Sequence, residues 1–151
     1  MTKFLLSLHV LAAIVAIGPV TVAASMFPPA ARRAGTPEGG QATVALLHRV
    51  CRFYARLGLA VPLLGFATAA AMGILGDGWL IISITLTAVA AGILVAFVLP
   101  RQEELLEQVG EGQSVDRSGT VQLAMLTGIF NLLWATVTVL MIVRPGSTTG
   151  A

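Results

Sequence analysis

The chain has 151 residues, of which 56% are hydrophobic and 11% are charged, and its formal net charge is +2. Soluble domains carry about 25% charged residues, so this composition excludes an ordinary soluble domain and indicates a protein that lies largely in lipid. The sequence has no basic arm with interleaved aromatic residues, which argues against nucleic acid and favours the lipid bilayer as the partner of its basic side chains.

The first predicted crossing covers residues 3–27, close to the N-terminus. Residues 4–31 contain no charged side chain, and about 20 apolar residues of helix cross a hydrocarbon core about 30 Å thick. Pro28 and Pro29 are expected to end this helix, because proline lacks the amide N–H and its ring clashes with the preceding turn. The alternative is a cleaved secretory signal, which would leave three crossings.

Three further apolar segments predict crossings at residues 57–75, 79–99 and 121–143. The turn at residues 76–78 is short enough to make the second and third crossings an antiparallel hairpin. The four crossings use nearly the whole chain. The sequence therefore predicts an all-α fold, a membrane four-helix bundle, as a single integral membrane domain over residues 1–151.

The distribution of Lys and Arg predicts the orientation in the membrane. The two longer connections hold seven basic residues, whereas the opposite side holds only Lys3 and Arg144. Because basic loops stay in the cytoplasm, we expect both longer loops to be cytoplasmic. Both termini would then lie outside or in the periplasm, with the protein in the cell inner membrane.

Helices two and three are predicted to continue as cytoplasmic helical extensions over residues 41–56 and 101–109. The first extension contains no Gly or Pro, and its polar side chains recur every three or four residues, which places them on one face. These side chains are His48, Arg49, Arg52 and Arg56. The second extension is acidic and carries Glu103, Glu104 and Glu107.

The hairpin is expected to bring these two charged extensions side by side. Counting away from the membrane in both directions places Arg56 near Glu103 or Glu104. The expected neighbours of Glu107 are Arg49 and Arg52. One hypothesis is a charge clamp that fixes the hairpin register and docks a partner. The alternatives are two solvated faces, whose ion pairs contribute about 0–1 kcal/mol each, and contact of the basic face with anionic lipid.

Small residues predict how the hairpin packs, because lipid supplies no hydrophobic force between helices and close contact needs small side chains. Each of the two helices carries small residues at four-residue spacing. They are Gly65, Ala69 and Gly73 in helix two, and Ala88, Gly92 and Ala96 in helix three. These stripes are expected to face each other, or one of them faces a partner subunit.

Three single residues are candidates for a specific role. His9 is the one titratable side chain inside a crossing, and it could bind a metal or haem. The alternative is a neutral histidine bonded to backbone or to a neighbouring helix. Asn131, at the centre of the fourth crossing, is expected to hydrogen-bond to another helix, with a substrate contact as the alternative. Cys51 is the only cysteine, which excludes an intrachain disulfide and a CxxC metal site.

The sequence contains no carboxylate inside a crossing, no glycine-rich phosphate loop, no nucleophile elbow and no metal-spaced His/Cys set. His48 lies on the opposite side of the membrane from His9 in this topology, about 30 Å away, so the two cannot share a haem within one chain. We therefore expect that the protein is not an enzyme and has no resident cofactor.

Both ends of the chain resemble a known family. Residues 8–14 (LHVLAAI) with Gly18, and residues 128–134 (GIFNLLW) through to 143–145 (VRP), resemble predicted bacterial integral membrane proteins with four crossings and no assigned function. The resemblance implies a four-helix fold and no activity. The first helix is also distantly similar to membrane domains of copper-resistance proteins. From that similarity only His9 carries over, because the chain lacks the additional intramembrane His and Met ligands.

Three functions are consistent with these features. The first is a small structural or accessory membrane subunit, which associates with itself or with a larger membrane complex through the Gly/Ala stripes. The second is a transporter or permeation subunit, which would need several copies because four helices enclose little space. The third is a metal- or haem-handling protein that uses His9 across a dimer.

Overall fold

The computed structural model describes residues 2–34 and 40–146. Within these ranges the chain is helical, without strands, and four helices are long and apolar enough to cross a membrane. This confirms the predicted all-α fold with four candidate spans. The helices are α1 (Thr2–Arg33), α2 (Gln41–Leu57), α3 (Ala60–Met72), α4 (Gly78–Ile93), a π-helical turn (Leu94–Val98), α5 (Leu99–Gly110) and α6 (Arg117–Val143).

The prediction that Pro28 and Pro29 end the first helix was wrong, since α1 continues to Arg33. Each proline removes one N–H donor, but the segment around them is packed against α2. Phe27, Pro28 and Ala31 are all buried there. Tertiary packing of this buried face offsets the lost backbone hydrogen bonds. The local sequence pattern does not predict this packing, so it predicted that the helix would end.

Prolines interrupt the second and third crossings in different ways. α2 and α3 are separated at Gly58 and Leu59, because Pro62 has no N–H to donate to the carbonyl of Gly58. The amide of Val61 donates to that carbonyl instead, over 3.1 Å. The third crossing stays helical through Pro100, and the π-helical turn immediately before it accommodates the proline.

The predicted contact between the two small-residue stripes was wrong. α3 packs mainly against α1, and α4 packs mainly against α6. Gly65 faces α1, where a Cβ atom would lie only 2.9 Å from Cε1 of His9. Gly73 ends α3 in the left-handed conformation at φ 71°. The whole second stripe is exposed: Ala88, Gly92 and Ala96.

The buried side chains form two clusters of different size. The larger cluster includes Phe27, Val44, Leu105 and Leu123, and it draws on α1, α2, α4, α5 and α6. This cluster extends to the end of the bundle where α2 and α5 lie, together with the end of α1 and the start of α6. We call it the α2–α5 end. The smaller cluster lies at the opposite, α3–α4 end, beside the turn at residues 73–77. It consists of Ala69, Trp79 and Leu80.

Candidate functional site at the α2–α5 end

His48 lies inside the bundle. The structure corrects the prediction that it shares a polar face with the arginines, because its side chain is only 5% exposed. It follows Val44 by four residues and precedes Cys51 by three, and this spacing places it on the buried face of α2. The Phe27 ring of α1 packs edge-on against the imidazole, with 6.5 Å between the ring centroids.

Gln102 of α5 joins His48 to Cys51 through its side-chain amide. The amide oxygen accepts a hydrogen bond from Nδ1–H of His48 over 2.9 Å. The amide nitrogen donates to Sγ of Cys51 over 3.5 Å. Gln102 is fully buried, so this cluster fixes α5 against α2.

The proton position on His48 follows from this contact. A carbonyl oxygen can only accept, so the neutral imidazole carries its proton on Nδ1 and presents a lone pair on Nε2. That Nε2 atom is buried and has no hydrogen-bond partner among the described residues. The carboxylate atom Oε1 of Glu103 lies 3.7 Å from this nitrogen.

Cys51 shares the buried surroundings of this cluster and lies outside the predicted crossing of residues 57–75. Burial raises the pKa of its thiol, and the hydrogen bond from Gln102 acts in the opposite direction. The thiolate fraction at neutral pH is therefore small. The Cys51 thiol is therefore expected to react slowly in the folded protein as long as α5 covers it.

The predicted ion pairs between the two extensions were wrong. Glu104 pairs with Arg101 of its own helix at 2.9 Å. The described residues offer no ion-pair partner to any of three arginines of α2, namely Arg49, Arg52 and Arg56. The reason is register. His48 lies opposite Gln102, and in an antiparallel pair the residues after His48 lie opposite residues before Gln102, where α5 has no carboxylate.

These arginines line a groove of about 430 Å³ beside α5. His48 forms part of its wall, and the apolar part comes from Ala45, Phe53 and Leu106. The groove thus combines three guanidinium groups, a wall that includes the side chain of His48, and apolar surface. Such a combination suits an amphipathic ligand with an anionic head.

His9 lies far from this groove. Its Nδ1–H donates to the carbonyl of Val61 in α3 over 2.9 Å, which is the predicted alternative of a histidine bonded to a neighbouring helix. Residue 9 precedes Phe27 by 18 positions on α1, or about 27 Å along the axis. The described residues contain no group of three or more His, Cys, Asp or Glu side chains that could hold a metal ion.

Asn131 makes an interhelical contact of the kind that the sequence predicts. Its Nδ2 donates to Oγ of Ser25 in α1 over 3.2 Å. Its Oδ1 is buried without a hydrogen-bond partner among the described residues. The contact links α1 and α6 away from the groove.

Gln102 is the central residue that the sequence analysis missed. A signal for it exists, because it follows Val98 by four residues and precedes Leu105 by three, and both of these neighbours are buried. A polar side chain at that spacing lies on the apolar face of α5 and needs a buried partner.

Comparison with known proteins returns one family. The family described as "Predicted integral membrane protein (DUF2269)" matches residues 3–145 of the chain. No curated protein and no solved structure matches. The similarity to copper-resistance membrane domains stays a prediction.

Proposed function

Since the chain belongs to the DUF2269 family of predicted integral membrane proteins, we propose that it is a small accessory membrane subunit that assembles with copies of itself. The observation that carries this proposal is the exposed stripe of small residues on α4 and the π-helical turn after it. Ala88, Gly92 and Ala96 all face outward, and a Cβ atom added at Gly92 would meet no atom within 4 Å.

The arrangement of polar groups supports the same proposal. His9 bonds to Val61, and Asn131 bonds to Ser25, so these polar side chains hold the bundle together. The small side chains on the outward face of α4 instead leave a shallow groove. In lipid, such a groove lets the backbone of another helix approach closely enough for van der Waals contact to hold the pair.

A pair of identical substitutions tests this assembly. Ala88→Leu adds bulk on the stripe, whereas Ala91→Leu adds the same bulk at an exposed position about 100° around the helix from Gly92. We expect size measurement in detergent and cross-linking in membranes to give an oligomer for the unchanged protein and for Ala91→Leu, and a monomer for Ala88→Leu. A wild-type monomer in both measurements would contradict the proposal.

We also propose that the α2–α5 end faces the cytoplasm, in the inner membrane, with both termini on the other side. Seven of the nine Lys and Arg residues lie at that end, in the last turn of α1, in α2, in α5 or at the start of α6, which supports this orientation. Reporter tags on the two termini test it. A tag on either end that is protected inside intact cells would overturn the orientation.

The two other functions stay predictions. A permeation subunit would need the oligomer that the size measurement seeks, together with transport by the reconstituted protein. A metal or haem role for His9 would show as bound copper or as a visible absorption band of the purified protein.

A further inference from the structure

We propose that the groove between α2 and α5 binds the headgroup of an anionic phospholipid. The arginines contact the lipid phosphate, and Nε2 of His48 accepts a hydrogen bond from a headgroup hydroxyl. This site does not depend on the assembly proposed above, because the groove is lined by α2 and α5, whereas Ala88, Gly92 and Ala96 lie on α4 and the π-helical turn that follows it.

The charge of the groove is the first argument. Arg49, Arg52 and Arg56 are spaced by three and four residues, so their guanidinium groups lie along one side of α2. All three line the groove, and the described residues leave them without an ion pair. Guanidinium groups bind phosphate oxygens by charge-assisted hydrogen bonds, often two at a time.

His48 supplies the second argument. A buried nitrogen lone pair without a partner is costly, so a ligand that donates a hydrogen bond to it gains stability. Oε1 of Glu103 is a second acceptor only 3.7 Å from that nitrogen. A hydroxyl can donate here, whereas a second phosphate would be repelled by the carboxylate. This favours a phosphodiester with a hydroxyl-bearing headgroup, such as phosphatidylglycerol.

The surface beside the groove selects a lipid over a free anion. Leu46, Phe53 and Leu57 are 55%, 57% and 43% exposed. Their spacing of seven and four residues makes them a continuous apolar strip on α2, next to the arginines. Phe53 and Leu57 form the membrane end of this strip, where acyl chains that run toward α3 would cover them, and a phosphate ion would leave them in water.

The depth of the groove agrees with a headgroup. Arg56 directly precedes the predicted crossing of residues 57–75, and Arg52 lies one turn further out, about 6 Å along the axis. The headgroup layer on each side of a bilayer is about 5–8 Å thick. Both guanidinium groups therefore lie at the level of the lipid phosphates when α3 is in the hydrocarbon core.

Native mass spectrometry of the purified full chain, titrated with dioleoyl phosphatidylglycerol, tests the site. We expect each Arg→Gln change at residues 49, 52 and 56 to weaken retention about fivefold, and the three together about 100-fold. Arg117→Gln is the matched control, because this exposed arginine lies at the same end but outside the groove. It should change retention less than twofold. Arg52→Gln alone carries the test if the triple variant does not fold.

Lipids with the same acyl chains test the headgroup. The unchanged protein should retain phosphatidylglycerol more strongly than phosphatidylethanolamine, which has no net charge, and more strongly than phosphatidic acid, which has no alcohol group attached to its phosphate. Equal loss of phosphatidylglycerol in Arg52→Gln and Arg117→Gln would overturn the site. Equal retention of the three lipids would overturn the headgroup assignment, and displacement of the lipid by millimolar inorganic phosphate would identify a site for free anions.

Discussion

The two ends of the central hairpin differ in how its helices meet. At the α2–α5 end, the extensions of the second and third crossings, α2 and α5, pack together around the buried amide of Gln102. At the α3–α4 end they are joined by a turn of five residues, 73–77, yet α3 packs mainly against α1 and α4 mainly against α6. A short connection therefore fixes the direction of two helices but not the contact between them.

The α3–α4 end is held by different forces. The guanidinium group of Arg144, just after α6, lies 5.5 Å from the ring centroid of Trp79 in α4, and the Trp79 indole donates to Asp77 over 3.1 Å. These contacts tie α4 to α6 and to its own turn. In lipid, where apolar surface gains little from burial, buried hydrogen bonds and small residues decide which helices touch.

The largest expected effect comes from removing the amide at the α2–α5 end. Gln102→Leu leaves Nδ1–H of His48 buried without an acceptor, which costs about 1–3 kcal/mol. We expect a lower unfolding temperature in detergent and faster maleimide labelling of Cys51. This cysteine is the only one in the chain, so labelling reports opening of this end alone.

The double variant His48→Leu with Gln102→Leu is the control for that experiment. It removes both polar partners, so it should recover part of the stability that the single variant loses. Labelling is compared at one pH, because burial raises the pKa of the Cys51 thiol and the rate follows the thiolate fraction. If Gln102→Leu unfolds and labels like the unchanged protein, the hydrogen bonds do not hold α2 and α5 together.

A smaller effect is expected where α3 meets α1. Gly65→Ala places a Cβ atom 2.9 Å from Cε1 of His9, so the ring or the helix must move. Overpacking of this kind costs about 1–2 kcal/mol, and thermal unfolding in detergent measures it. His9→Ala removes both the clash and the hydrogen bond to Val61, so Gly65→Ala added to His9→Ala should cost no further stability.

Gly128→Ala is the matched control for the clash at Gly65. A Cβ atom at Gly128 meets nothing within 4 Å, and alanine favours a helix interior by about 1 kcal/mol over glycine. This variant should be as stable as the unchanged protein or more stable. A Gly65→Ala protein that behaves in the same way would show that α3 does not depend on close approach to α1.

The fold could be predicted from the sequence because uncharged apolar segments of crossing length leave one solution in lipid, namely four helices. The sequence did not predict which neighbouring helix each helix face contacts. Periodicity groups Gly65 with Ala69 but does not say that Gly65 receives His9 of α1. The hairpin register also failed, because the predicted turn was residues 76–78 and the count started from the predicted ends of the crossings. The observed turn is residues 73–77, and His48 and Gln102 lie equally far from it along the chain.

Periodicity predicted the exposed part of the candidate site but not its buried part. The three arginines of the groove were identified from their spacing, because an exposed polar face follows from periodicity alone. The assignment of His48 to that face was wrong, since its spacing also fits the buried positions Val44 and Cys51. Only the three-dimensional packing shows that His48 lies on the buried face of α2 and not on the exposed face with the arginines.

The smallest effect is expected at the contact between α1 and α6, which belongs to neither end. Asn131→Leu removes the hydrogen bond to Ser25 but also removes a buried Oδ1 that has no partner among the described residues. The two changes oppose each other, so we expect a loss of only about 0.5 kcal/mol in thermal unfolding. Ser25→Ala should cost more, because it leaves the Asn131 amide in place without its partner, and the double variant should lose no more than Ser25→Ala alone. If Asn131→Leu matches the unchanged protein while Gln102→Leu does not, the polar contact at the α2–α5 end stabilises the bundle and the one between α1 and α6 does not.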